Sequence, residues 1–360
     1  MKIIQVIPSF DMGGAETMCE TLIYELIELG HEVIAVSLYE KETVITQRLK
    51  NSRVDLRFLG KKDGFDFSIY KKLRALFKQE KPDVIHTHTY ATKYVFPVAA
   101  RLKIRVIHTI HSVATREATK MTRKFNGMFF RHFNIVPVAL STNIQKTIID
   151  EYKLDAKNVP IVLNGVDLKK CRVKENYEVN GTFKIVHVGS FLEVKNHIGM
   201  LEAFQMFHEQ YPTSELHFIG DGIRRPLIED MARVKNLSDC VVFHGLQSNV
   251  HLFLSDMDVF TLPSLYEGIP MSIAEAMGTG LPIIATNIGG IPDMLDEDSA
   301  LLIPPDVVAI YQAYEKYYLD AKLRKKHGGN AFKAVEKFSS KVMANDYIQI
   351  YSAKGRNAQS

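Results

Sequence analysis

Short apolar runs alternate along this chain with segments whose apolar residues recur every three or four positions. KIIQVI, from Lys2, has the length of a buried strand and is closed by Pro8. TMCETLIYELIELG, from Thr17, has the spacing of an amphipathic helix ended by Gly30. HEVIAVSL, VDLRFL, DVIHTH and RVIHTI repeat the strand pattern, and FSIYKKLRALFKQEK and YVFPVAARLK supply helices between them. This alternation predicts a parallel, doubly wound α/β sheet covered by helices on both faces, with ligands at the carboxyl ends of its strands. Gly13, Gly14, His86, His88 and His111 fall at strand ends on this reading.

FNIVPVALS and VPIVLNGVD close the first set of elements, and a polar, irregular stretch follows over 169–181 that reads as a linker. A second alternating set starts at TFKIVHVGSF and runs through HIGMLEAFQMFHEQ, ELHFIGDG and CVVFHG to the block Asp258–Gly290. Helices over 307–319, 321–338 and from Lys341 end the chain. The predicted organisation is one domain over 1–168, a second over 182–341, and a last helix, 342–360, packing back on the first.

The bulk numbers narrow this little further. With 360 residues, 46% of them hydrophobic, the chain can build two cores. Basic residues exceed acidic ones by four, too few to argue for nucleic acid. The excess is uneven: residues 1–168 hold 25 bases and 18 acids, the remainder 20 and 23. Arg101 to Arg131 alone carries eight bases against Glu117, interleaved with Met121, Phe125, Met128, Phe129, Phe130 and Phe133. Arg116, Lys120, Arg123, Lys124, Phe129 and Arg131 therefore form either a solvated helix face or a patch for anionic lipid. Cys19, Cys171 and Cys240 have no metal or redox spacing and suit a reducing cytosol. The N-terminus lacks the pattern of a signal peptide, and no apolar run reaches the roughly 18 residues of a membrane span. The expectation is a cytoplasmic protein, at most peripheral on the inner face of the membrane.

The candidate chemistry centres on DVFTLPSLYEGIPMSIAEAMGTGLPIIAT. A strand ending at Pro263, a loop with Gly268, a helix opened by Pro270 and Met271, and a further strand come in order. Free amides at such a helix start, Gly268, Ile269, Pro270 and Met271 around them, make a site for phosphate. Glu267 and Glu275 flank it, and Glu275 sits among Ile273, Ala274, Ala276 and Met277, so its carboxylate is buried and demands donors. Sugar or ribose hydroxyls meet that demand. Gly189 and Ser190 expose backbone after the second domain's first strand, where Lys195 is either solvated or a point charge for a diphosphate. Gly13-Gly14 is an ordinary turn or a place where backbone approaches a ligand. His86 and His88 alternate on one face of a strand and lack metal-ligand spacing. They are either satisfied, partly buried histidines or line an acceptor. Asp256-Met257-Asp258 resembles a DxD metal motif, but Asp258 there can simply start a strand.

These segments together resemble the E-x7-E signature of the retaining GT-B glycosyltransferases of family four. GGAE, DVIHTH, TIHS, VALS, VLNGVD, HVGSFLEVKNH, FIGDG, VVFHG and the two-glutamate block stand in family order over nearly the whole chain. The resemblance implies two doubly wound Rossmann-like domains facing a cleft. It also implies transfer, with retention, of a hexose or N-acetylhexosamine from a nucleoside-diphosphate sugar, UDP being the expected nucleotide. The acceptor would be a saccharide or lipid-linked, and the product a cell-surface polysaccharide or glycolipid. No cofactor and no metal would be needed. Glu267 would contact the transferred sugar, Glu275 the ribose, and Leu246 with its neighbours the base. Lys195 and the amides of Gly268–Met271 would hold the diphosphate. Gly14 would approach the diphosphate, and His111 the sugar, from the first domain. Gly13, His86 and His88 would lie on the acceptor side. The chain departs from the family at Ser190, where arginine is common; one charge-assisted bond, worth about 1.5–3 kcal/mol, is then missing. The rival reading on the same architecture is a sugar-nucleotide 2-epimerase.

Overall fold

The computed structural model describes residues 1–11, 13–247 and 249–353; the predicted helix residues beyond 353 lie outside them. The chain divides into two units, Met1–Gly165 joined by the residues from Ser340 onward, and Val166–Ser339.

In the first unit, six parallel strands form one sheet: β1 (Lys2–Ile7), β2 (Glu32–Ser37), β3 (Asp55–Phe58), β4 (Val84–His88), β5 (Arg105–Ile110) and β6 (Ile135–Ala139). Their order is β3-β2-β1-β4-β5-β6. The reversal beside β1 is the switch point at which such sheets bind ligands. Register is set by apolar residues buried on both faces, as when Ile4 pairs with Ile34 and Ile85. The helix Ser340–Ser352 returns to this unit and packs on the helix Gly14–Glu28. Met343, Ala344, Tyr347 and Tyr351 join Ile3, Ile7, Leu22 and Leu26 in one buried cluster, and Ser340 Oγ lies 2.6 Å from Glu25 Oε1.

The second unit repeats the plan with β7 (Phe183–Val188), β8 (Ser214–Ile219), β9 (Val241–Gly245), β10 (Val259–Leu262), β11 (Ile283–Thr286) and β12 (Ala300–Ile303). The order is β12-β11-β10-β7-β8-β9, all parallel. The stretch 169–181 is no free linker: it is folded onto this unit. Tyr177 is buried, with its hydroxyl donating to Gly280 O at 2.8 Å. Its carbonyl accepts from Arg324 Nε and Nη2 at 3.0 and 2.6 Å, and Arg324 is itself only 2% exposed. Lys174 Nζ donates to Met257 O at 2.7 Å and lies 3.2 Å from Asp258. Polar composition suggested a tether, but here polar side chains satisfy carbonyls inside the fold. Asp258 also accepts from the Lys184 amide at 3.0 Å, so its carboxylate serves the start of β10.

Candidate functional site

Beyond the carboxyl ends of β7 and β10 the second unit brings Lys195 and Glu267 together. Past β10, Ser264 is fully buried and its hydroxyl donates to Glu267 Oε1 at 2.6 Å. Lys195 Nζ meets the same oxygen at 2.5 Å. Glu267 is 8% exposed, so these two donors answer the cost of burying its charge. Lys195 reaches it because two loops are tied together. The Leu265 amide donates to Val194 O at 2.7 Å, and Asn196 Nδ2 donates to Pro263 O at 3.1 Å. Asn196 adopts φ 57°, a left-handed conformation that suits asparagine.

Beyond Glu267 the loop is open. Gly268 is exposed, with nothing within 4 Å of where a Cβ would stand. The helix Met271–Gly278 follows, with Pro270 one position earlier than expected, as its N-cap and without a side-chain cap. Among the described residues, the amides of Gly268, Ile269 and Met271 make no bond to the chain. Uncapped amides at a helix start carry the positive end of the helix dipole. Glu275 lies on the same helix with no hydrogen-bond donor among the described residues, and burial pushes its carboxyl up to about 7. Glu275 is only partly buried, so its carboxyl keeps an open side from which a ligand's hydroxyls can supply the missing donors.

Two glycine pairs fix these loops from behind. A Cβ on Gly289, at φ 58°, would stand 1.9 Å from Glu267 O, and one on Gly290 2.5 Å from Gly268 O. The Gly290 amide donates to Gly268 O at 2.9 Å. Likewise, Gly220 and Gly222 leave no room for side chains against the backbone of Gly189 and Phe191. Gly189 and the exposed Ser190 leave β7 on that loop. Arg224 stands beside it, its amide donating to Phe191 O at 3.1 Å and its guanidinium to Glu193 at 3.0 Å. Leu246 is exposed just after Gly245 at the end of β9. Sequence reasoning missed Ser264, Asn196, Gly289 and Gly290. Only the adjacent glycines of the NIGG segment carried a readable signal.

In the first unit, Gly13 is the N-cap of the helix Gly14–Glu28, and the Glu16 carboxylate folds over the place its Cβ would take. Gly14 faces open space. Met12 lies outside the described residues. His111 is partly buried just beyond β5, and burial lowers its imidazole to about 4, so it is neutral. The acceptor-side reading of His86 and His88 is corrected: both are 0% exposed within β4. His86 uses both ring nitrogens inside the unit, with Tyr351 OH at 2.7 Å and Thr109 Oγ1 at 2.8 Å. His88 likewise uses both, with Gln5 Oε1 at 2.9 Å and His111 Nε2 at 3.1 Å. The next residue, Thr89, takes φ 49°, strained for a β-branched side chain, with its hydroxyl oxygen enclosed and unbonded. Sequence reasoning counted Glu117 only as the acid within the basic stretch. Its Oε2 accepts from Ser112 Oγ at 3.1 Å, and burial pushes its carboxyl up to about 7.

The predicted lipid patch is thinner than expected. Phe129 is 6% exposed and belongs to the core. Arg123 pairs with Glu151 at 2.7 Å and bonds the carbonyls of Thr115 and Ala118. Arg131 donates to Tyr152 O at 3.0 Å. Arg116, Lys120, Lys124 and Arg131 remain exposed, with Met121 at 81% exposure. Among the described residues no helix is long and apolar enough to cross a membrane.

Comparison with known proteins bears on the same two units. The family model described as Glycosyltransferase Family 4 matches residues 12–170, and that described as Glycosyl transferases group 1 matches residues 182–320. An Escherichia coli UDP-Gal:alpha-D-GlcNAc-diphosphoundecaprenol alpha-1,3-galactosyltransferase is 32% identical over 241 residues, 62% of this chain and 61% of that protein. The N-acetyl-alpha-D-glucosaminyl L-malate synthase of Bacillus anthracis is 26% identical over 372 residues, 94% of each chain. Among solved structures, the Anabaena protein HepE in complex with UDP and glucose superposes with a TM-score of 0.82 at 15% identity, covering 98% of this chain and all of that one.

Proposed function

Because the chain belongs to the family-four GT-B glycosyltransferases, we propose that it moves a hexose or N-acetylhexosamine from a UDP-sugar, with retention and without a metal. The observation that carries this is the convergence of Lys195 and Ser264 on Glu267 beside the unbonded amides of Gly268, Ile269 and Met271. A departing nucleoside diphosphate develops negative charge, and preorganised amides with one ammonium stabilise it at no reorganisation cost during the reaction. Glu267 orients the transferred sugar, and the ribose hydroxyls donate to Glu275. In the first unit, the family resemblance makes His111 the candidate for a sugar hydroxyl and Gly14 the candidate for close approach to phosphate. Arg224 stands in for the charge that Ser190 does not supply; its bonds to the Phe191 and Glu193 loop support this reading. Glu267→Ala is expected to stop transfer while circular dichroism and the melting curve show a folded protein. Normal turnover by that variant refutes the assignment. Incubation with a UDP-sugar alone separates slow hydrolysis, expected here, from release of a free glycal.

The acceptor is a saccharide or a lipid-linked saccharide of a polysaccharide or glycolipid, reached in the cytoplasm at the membrane face. The Escherichia coli relative, named for a diphosphoundecaprenol acceptor, supports the lipid-linked form. Lys120, Lys124 and Met121 are the residues for an anionic lipid surface. Sedimentation with vesicles rich in anionic phospholipid at low salt should carry the protein down, and Lys120→Glu with Lys124→Glu should release it. A wild-type protein that stays in solution removes the membrane from the proposal.

A further inference from the structure

The first unit contains an unbroken chain of buried, uncharged hydrogen-bonding groups that ends on His111. It starts on the returning helix Ser340–Ser352, where Tyr347 OH lies 2.7 Å from Thr109 Oγ1. Thr109 Oγ1 is 2.8 Å from His86 Nε2, and His86 Nδ1 is 2.7 Å from Tyr351 OH. Gln5 Nε2 donates to Tyr351 OH at 3.3 Å, and Gln5 Oε1 is 2.9 Å from His88 Nε2. His88 Nδ1 meets His111 Nε2 at 3.1 Å. Gln5, His86, His88 and Thr109 are fully buried, and the two tyrosines are buried as well.

The direction of this chain follows from one side chain. The Gln5 amide turns its NH2 toward Tyr351 and its oxygen toward His88. An amide oxygen only accepts, so His88 carries its proton on Nε2. Burial keeps His88 neutral, which leaves a lone pair on its Nδ1. His111 Nε2 must then be the donor of the next bond. His111 is neutral too, so its Nδ1 carries a lone pair. We propose that Gln5 and His88 are positioning residues that hold His111 as the Nε2–H tautomer, so that Nδ1 accepts a hydrogen bond from a hydroxyl of the transferred sugar. Turning the Gln5 amide over would let every bond re-form in the opposite sense, ending with a proton on His111 Nδ1. One amide orientation therefore decides whether His111 accepts or donates. The consequence for specificity rests on the glycosyltransferase reading: a free hydroxyl satisfies this nitrogen, whereas a carboxylate or an ether at the same sugar position leaves two acceptors facing each other.

The test uses the full chain with 15N-labelled histidine. Long-range 1H–15N correlation at neutral pH reports the tautomer of each ring, with His111 assigned from His111→Gln. His88 and His111 are both expected as Nε2–H. In Gln5→Leu the His88 Nε2–H loses its acceptor. A buried orphan N–H is costlier than a lone pair left bare, so the proton should move to Nδ1 and invert His111 as well. Gln5→Glu, which as a carboxylate only accepts, should keep the His88 and His111 tautomers, while Tyr351, now donating to it, inverts His86. Tyr351→Phe preserves ring packing but frees the Gln5 amide to turn, and should give a mixture, so the proposal stays testable if Gln5→Leu does not fold. Turnover should fall roughly 10-fold where the tautomer inverts and recover in Gln5→Glu. A wild-type His111 with its proton on Nδ1, or charged at pH 7, overturns the proposal. So does an inverted Gln5→Leu with unchanged turnover. Because the spectra are taken without substrate, failure of the wild type to use any nucleotide sugar would overturn the functional reading and leave the tautomer assignment standing.

Discussion

Glu275 is the residue whose energetics are most open to measurement. Its carboxyl is raised from 4.5 to about 7 by burial alone, with no compensating donor. An acid whose folded value lies above its unfolded value binds protons more tightly when folded. Its penalty is absent below pH 4.5, grows as pH rises, and is fully present above about pH 7. A tenfold change in proton affinity corresponds to about 1.4 kcal/mol, so full ionisation costs up to about 3 kcal/mol; residual solvent access lowers this to roughly 1–3. Glu275→Gln removes the ionisation and should raise the melting temperature of the second unit by a few degrees or more at pH 8, with little change at pH 5. Melting curves of wild type and variant between pH 5 and 9 test this directly. The same reasoning predicts a proton count: ribose hydroxyls donating to Glu275 favour the carboxylate, so UDP binding at pH 7 should release about half a proton. Calorimetry in buffers of different ionisation enthalpy reads that number. Parallel melting profiles for the two proteins, or proton uptake on UDP binding, would refute the argument.

Two further outcomes test the frame around this carboxyl. If Lys195 holds the diphosphate as proposed, Lys195→Met should weaken UDP binding roughly 10- to 100-fold by calorimetry; unchanged affinity would free Lys195 from that role. Gly289→Ala, whose Cβ would collide with Glu267 O from a backbone at φ 58°, should displace the Glu267 loop. It should cost about 1–3 kcal/mol of stability and abolish transfer, while a variant as active and stable as wild type would show that the loop is not braced there.

Much of this was legible in the sequence because the chemistry rests on backbone punctuation and on a strand period that no tertiary contact overrode. The strands KIIQVI, DVIHTH and TFKIVHV lie where their apolar runs place them, and Pro270 marks a helix start to within one residue. What the sequence hid are partners distant along the chain. Nothing around Gln5 announces His88, and nothing around Gly289 announces Glu267. The stretch 169–181 looked like a tether because the partner of its Tyr177 carbonyl is Arg324, a buried arginine that its own neighbours do not foretell. His86 and His88 misled for a related reason. Alternation correctly gave them one face of a strand, but that face is covered by Tyr347 and Tyr351 from the far end of the chain.

The pair Lys195–Glu267 bears on how the second unit waits for its ligand. Both groups carry charge at the edge of a buried loop, and each alone would need solvent or a partner. Held 2.5 Å apart, with Ser264 on the same oxygen, they satisfy one another in the free protein. A diphosphate would compete for the ammonium while sugar hydroxyls replace it at the carboxylate, so donor binding exchanges one buried ion pair for two sets of polar contacts. The lost ion pair offsets part of what such an exchange gains, but it keeps both side chains in place beforehand, which is where preorganisation favours the transition state. Glu275 stands in the opposite condition, partly buried and without a donor among the described residues. The two carboxylates of the E-x7-E block are therefore different instruments, one paired with a built-in lysine, the other pushed up to about 7 by burial for want of a partner.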